Sequence, residues 1–164
     1  MPAHKNLFRI IGVCLLAFMT GCPCPTVPSV PLEQLLSAPL EVRIDGRTFI
    51  LETFLWRDYM PGGPVGGSDL RAVLWITAVD LQPFPPDLDA DRLWVINGND
   101  IWETRFSGES RPRDLIHPHQ LEKSAEGGPR WETGTRVEVV VRLVTLRGRT
   151  HLLRASGQLI NRTE

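Results

Sequence analysis

Asp45-Gly46 lies between two runs of β-prone residues, "LEVRI" and "RTFILETFLW", and this arrangement narrows the fold sharply. The tightest β-hairpin needs two residues that accept positive φ, and an Asp-Gly pair supplies both. The pattern recurs in "RLWVINGNDIWETRF". A turn at Asn97-Gly98 pairs Arg92 with Glu103 and Trp94 with Ile101. A turn at Gly98-Asn99 shifts that register, and the residues leave both open. A third tight turn is expected at Arg147-Gly148. It follows a run in which Val137, Val139, Val141 and Leu143 alternate onto one face. Beyond it, Leu152, Arg154, Ser156 and Gln158 are expected on one side of the last strand. Strands are expected over residues 40–45, 48–57, 70–80, 92–97, 100–106, 135–146 and 150–160, with no long amphipathic helix between them. The predicted class is therefore all-β. The architecture expected is an antiparallel immunoglobulin-like sandwich of about seven strands, with a small β-barrel as the alternative.

Three connections are long: 58–69, 81–91 and 107–134. A connection as long as 107–134 is unusual inside a compact domain and often functional. A short helix is expected within it, from Leu115 to Ala125. In an up-and-down strand order the Asp45-Gly46 turn, 81–91 and 107–134 share one end of the domain. Loops 81–91 and 107–134 are accordingly the expected partner surface, with Arg111, Arg113 and Trp131 as its contact residues. Trp131 has a second expected role, pinning the loop onto the core. Asp87, Asp89 and Asp91 alternate in "DLDAD" as carboxylates do at the start of a Ca²⁺ loop, but Arg92 stands where the turn glycine of an EF-hand belongs. His117 and His119, with Asp114 nearby, have the donor types of a Zn²⁺ site on a Pro-containing segment. Both groups read more simply as solvated loop residues. "GGPVGGS" lacks the Lys of a phosphate loop and reads as a turn. Trp75, in the most apolar strand, is expected in the core. No nucleophile elbow or zinc-protease motif occurs, and no cofactor or enzymatic activity is expected.

The start of the chain carries a different kind of information. Lys5 and Arg9 precede an uncharged, mostly apolar run from Ile10 to Phe18. A basic stretch followed by an apolar run of about 7–15 residues is a secretory leader, and it is too short to span a bilayer. Met19-Thr20-Gly21-Cys22 follows. This quartet resembles the lipobox of bacterial lipoproteins. The resemblance implies cleavage before Cys22 and covalent lipid on Cys22, with attachment to a membrane by several acyl chains. Pro23 occupies the position where Asp would favour retention in the inner membrane, so the resemblance implies a cell-envelope, outer-membrane destination. The expected organisation is a leader over 1–21, a lipidated Pro-rich tether over 22–39 with one helical turn at Leu32–Ser37, and a β domain over 40–162.

Loss of Lys5 and Arg9 with the leader takes the formal charge from −1 to −3, which gives no reason to expect nucleic acid as a partner. Cys14 leaves with the leader and Cys22 is acylated. Cys24 is then the one remaining thiol, so no internal disulfide is expected. The functional expectation is a lipid-anchored, non-enzymatic interaction module, with a small-ligand or Ca²⁺-binding module as the alternative.

Overall fold

A computed structural model describes residues 29–110 and 117–164. Among the described residues the chain is all-β, with one short helix, α1 (Leu32–Leu36). Nine strands follow: β1 (Glu41–Ile44), β2 (Arg47–Asp58), β3 (Leu70–Ala78), β4 (Leu88–Asn97), β5 (Asp100–Thr104), β6 (Gly108–Ser110), β7 (Gln120–Gly128), β8 (Arg136–Thr145) and β9 (Thr150–Thr163).

The turns follow their backbone angles. Asp45 and Gly46 both have positive φ, 47° and 86°, and join β1 to β2 with Ile44 opposite Arg47. Two positive φ values mark the primed turn that matches strand twist. In the β4–β5 hairpin Gly98 has φ 61° and Asn99 is not among the positive-φ residues. A single positive φ at the first turn position belongs to the other primed turn, which places glycine first. The hairpin therefore turns at Gly98-Asn99, with Asn97 opposite Asp100, Trp94 opposite Glu103 and Val95 opposite Trp102. At the third turn the Gly148 amide donates to the Thr145 carbonyl, and the Arg149 amide to the Thr145 hydroxyl.

The strands run in the order β5-β4-β8-β9-β2-β3-β7-β6, with β1 also on β2. They form one curled sheet, a half-barrel. Neighbours are antiparallel except β2 and β9, which pair in parallel from Leu55/Ile160 to Asp58/Thr163. This corrects the wholly antiparallel expectation, and its cause lies in β9. The strand pairs with β8 up to Leu159, passes a bulge at Ser156-Gly157 opposite Glu138, and ends against β2. Gly157 has φ 64°, and the Glu138 carboxylate accepts from both the Gly157 amide and the Ser156 hydroxyl. Such an extra residue bends a strand and turns later side chains to the other face. Leu152, Arg154 and Ser156 stay on the outer side. Gln158, expected with them, instead accepts from the inward Thr53 hydroxyl.

Two strands, β6 and β7, lie within what the sequence presents as a loop over 107–134, and Gln120–Ala125 is strand rather than helix. Residues 111–116 lie outside the described residues. The sequence of β7, "QLEKSAEGG", contains no β-branched or aromatic residue. Its extended state follows from its neighbour: β3 carries the core residues Leu70, Ala72, Leu74 and Ile76 and needs a ladder partner on its second edge, which β7 provides from Leu70/Gly128 to Thr77/Gln120. β4 likewise starts at Leu88, so Asp89 and Asp91 are strand residues.

The curl encloses one core. Phe49, Leu55, Leu74 and Ile76 on one side meet Leu93, Val95, Leu153 and the alternating Val137, Val139, Val141 and Leu143 on the other. A second apolar cluster lies outside the sheet. There Leu35 and Ala38 pack on Trp94, Ile96 and Val140, flanked by Val30, Leu32, Ile101 and Leu152. Polar bonds fix this segment at both ends: Ser29 donates to the Glu103 carboxylate, and Arg154 to the carbonyls of Ala38 and Pro39. The stretch 29–39, expected as part of a free tether, is a strap across the back of β4, β8 and β9. Its apolar residues at 30, 32, 35 and 38 explain the docking.

Candidate binding face

The sequence-derived candidates separate in space. Asp91 makes a two-pronged pair with Arg142, at 2.8 and 2.6 Å. Its carboxyl is held below the ordinary range, chiefly by that Arg142 hydrogen bond acting against partial burial. Asp89 pairs with Lys123 at 2.7 Å. Asp87 stays in the loop before β4, where its carbonyl accepts from the Leu146 amide. The three residues thus stand in different settings, with Asp89 and Asp91 committed to separate cations. Among the described residues no group of three or more His, Cys, Asp or Glu is arranged to hold a metal ion. The rings of His117 and His119 stand 6.1 Å apart; Asp114, Arg111, Arg113 and Cys22 lie outside the described residues. Trp131 packs against the core, and its carbonyl accepts from the buried Arg57.

The Asp45-Gly46 turn, residues 79–87 and residues 117–119 do gather at one end. Arg47 holds the Asp80 carboxylate and the carbonyls of Gln82 and Pro83. Phe84 stacks edge-on against Phe49, and its amide donates to Pro118. A loop tied down in this way is part of the wall of the domain rather than a loose arm.

The outer face of β2, β3 and β7 has the features of a binding surface. Burial alternates along all three strands. Phe49, Leu51 and Leu55 point inward on β2; Ala72, Leu74 and Ile76 on β3; Leu121, Lys123 and Ala125 on β7. Their neighbours must point out. In register this places Glu52, Trp75 and Glu122 in one row, with Thr77 and Gln120 in the next. Phe54 and Val73 lie on the other side of that row, followed by Trp56 and Arg71.

Hydrogen bonds knit the polar end. The Trp75 indole N–H donates to Glu122 Oε2 at 2.9 Å, the Thr77 hydroxyl to Glu52 Oε2 at 2.8 Å, and the Gln120 amide to the Thr77 hydroxyl at 3.2 Å. At the apolar end Phe54 and Trp56 stack, with ring centroids 5.4 Å apart and planes 28° from parallel. Over the polar end opens a groove of about 660 Å³, lined by Glu52, Thr53, Trp75, Ser110, His117, Gln120 and Glu122. No Lys or Arg is among the described lining residues; Arg111 and Arg113, between Ser110 and His117 in the chain, lie outside the described residues.

Trp75 was expected in the core; it stands on the outer face and is only partly buried. The strand "LRAVLWITA" is apolar on both sides, so its alternation does not announce which side faces in. Glu122 and Gln120 were hidden with β7. The visible signal was Glu52 inside an otherwise apolar run, which marks the outward parity of β2.

No family model, curated protein or solved structure matches the chain.

Proposed function

We propose that this chain is a lipid-anchored protein of the cell envelope whose β domain is a non-enzymatic binding module. The anchor reading rests on Met19-Thr20-Gly21-Cys22 following a basic and then apolar leader. The binding reading rests on a contrast between the two outer faces of the sheet. The back of β4, β8 and β9 carries Trp94, Ile96 and Val140, and the strap covers them. The back of β2 and β3 carries Phe54, Trp56, Val73 and Trp75, and none of the described residues forms a comparable cover. That uncovered aromatic face is the observation that carries the reading, because exposed aromatic clusters beside polar groups mark interaction sites. It also moves the contact surface from loops 81–91 and 107–134 to the sheet face, of which β7 is one edge.

The anchor is tested by expressing the full chain with a clickable fatty acid. The parent should incorporate label and sediment with membranes. Cys22→Ser should lose the label and remain unprocessed. Equal labelling of the two would remove the anchor from the reading.

A further inference from the structure

We infer that the groove on the outer face of β2, β3 and β7 binds a neutral oligosaccharide chain. The inference rests on the binding-module reading above and names the chemistry of the ligand. A pyranose ring presents an apolar C–H face and a rim of hydroxyls that both donate and accept. Its recognition calls for aromatic surface beside groups able to do the same.

The groove supplies both. The indole of Trp75 is fixed by its bond to Glu122 and lines the opening. Glu52 and Glu122 on either side are carboxylate acceptors, each with one oxygen engaged by a neutral donor. Gln120 and Ser110 bring an amide and a hydroxyl, which donate as well as accept. The aromatic surface does not stop at the groove. The stacked Phe54 and Trp56 continue it along β2, and at 3.3 Å per residue Trp56 stands about 13 Å along the strand from Glu52. That length suits several linked sugars rather than one.

Charge selects among polymers. With Glu52 and Glu122 at its centre and no Lys or Arg among its described lining residues, this end of the face disfavours nucleic acid, uronate-rich glycans and phosphorylated glycans. A cationic peptide satisfies the charge, but its ammonium and guanidinium groups only donate, so its acceptors are its backbone carbonyls alone. Those side chains offer nothing to the Ser110 hydroxyl or the remaining N–H of Gln120, and the carboxylates are already partly satisfied by Trp75 and Thr77. A neutral polyol uses every group present.

The test is calorimetric titration of the full chain, solubilised in detergent, with hexaoses of the cello-, chito-, manno- and xylo- series. An oligogalacturonate is the anionic control and an oligolysine peptide the cationic one. At least one neutral hexaose should bind, with negligible heat from the oligogalacturonate. Phe54→Ala and Trp75→Ala should each weaken binding tenfold or more, and Glu52→Gln several-fold. Leu146→Ala, on an exposed turn at one end of the domain, should change nothing. Thermal melting of each variant separates lost binding from lost folding; if Trp75→Ala melts early, Phe54→Ala and Glu52→Gln carry the test.

Absence of binding by every neutral hexaose would overturn the inference, as would preference for oligolysine or affinity unchanged in Phe54→Ala and Glu52→Gln. Binding with shortening of the oligosaccharide would uphold the site and overturn the non-enzymatic reading instead. The fatty-acid labelling of Cys22 has its own readout, so failure of the anchor and failure of the ligand are distinguishable.

Discussion

Lys123, the one lysine beyond the leader, is 4% exposed on the inward side of β7. Its ammonium contacts the carboxylates of Asp89 on β4 and Glu109 on β6 and lies 5.6 Å from the centre of the Phe106 ring. One side chain thus ties together strands from opposite ends of the sheet order. Removing one buried ion while its partners remain leaves their charges uncompensated, whatever side chain replaces it, and costs about 3–5 kcal/mol. Asp89 and Glu109 keep partial contact with solvent, so the cost stays at the low end of that range. Lys123→Met, which keeps the packing but not the charge, should lose about 3 kcal/mol, and Lys123→Ala about 1 kcal/mol more for the lost packing. Urea unfolding at neutral pH measures both; a Met variant as stable as the parent would show that packing, not charge, is what Lys123 contributes. The Asp91–Arg142 pair makes a pH prediction. The Asp91 carboxyl is lowered from 3.8 in the folded chain, so the pair's contribution is fully present above pH about 5 and disappears as pH falls through and below about 4. Because the pair is partly exposed, that contribution is under about 1 kcal/mol. Asp91→Asn should flatten the acid limb of a stability-versus-pH series while changing little of its shape above pH about 6. A limb as steep as the parent's would assign the acid sensitivity to other carboxylates.

The strap over 29–39 has more consequence than its single helical turn suggests. Leu35 is fully buried at the centre of its cluster, against Trp94, Ile96 and Val140. Leu35→Ala should cost about 2–4 kcal/mol. It should also raise binding of an apolar dye, because the indole of Trp94 and its neighbours become reachable by water. A variant with parental dye binding and parental stability would mean that the strap does not shield the sheet. The hairpins show what a sequence displays openly. Asp45-Gly46 dictated its turn because both residues accept positive φ, and the inward face of β8 could be read from its alternating valines. The 98–99 turn needed the backbone to decide, since "INGND" offers glycine to either turn position. β7 was hidden for a stronger reason: its residues have little strand preference, and the edge of β3 imposes its conformation. With β7 went half of the candidate site, and the doubly apolar β3 concealed the outward side of Trp75.

At the scale of the molecule, β9 matters most. It is the last strand in chain order, yet its first part completes the sheet beside β8 and its end completes it beside β2. Neither half of the sheet has its inner edge until β9 is present, and the core residues Leu153, Ala155 and Ile160 arrive only with it. Contacts between distant parts of a chain form late, because they require the longest loops to close. A chain that must thread a membrane unfolded, as the leader reading requires, gains from this order. On that reading its early strands cannot lock into the finished half-barrel while later ones are still to emerge, and the topology would delay folding until passage is complete.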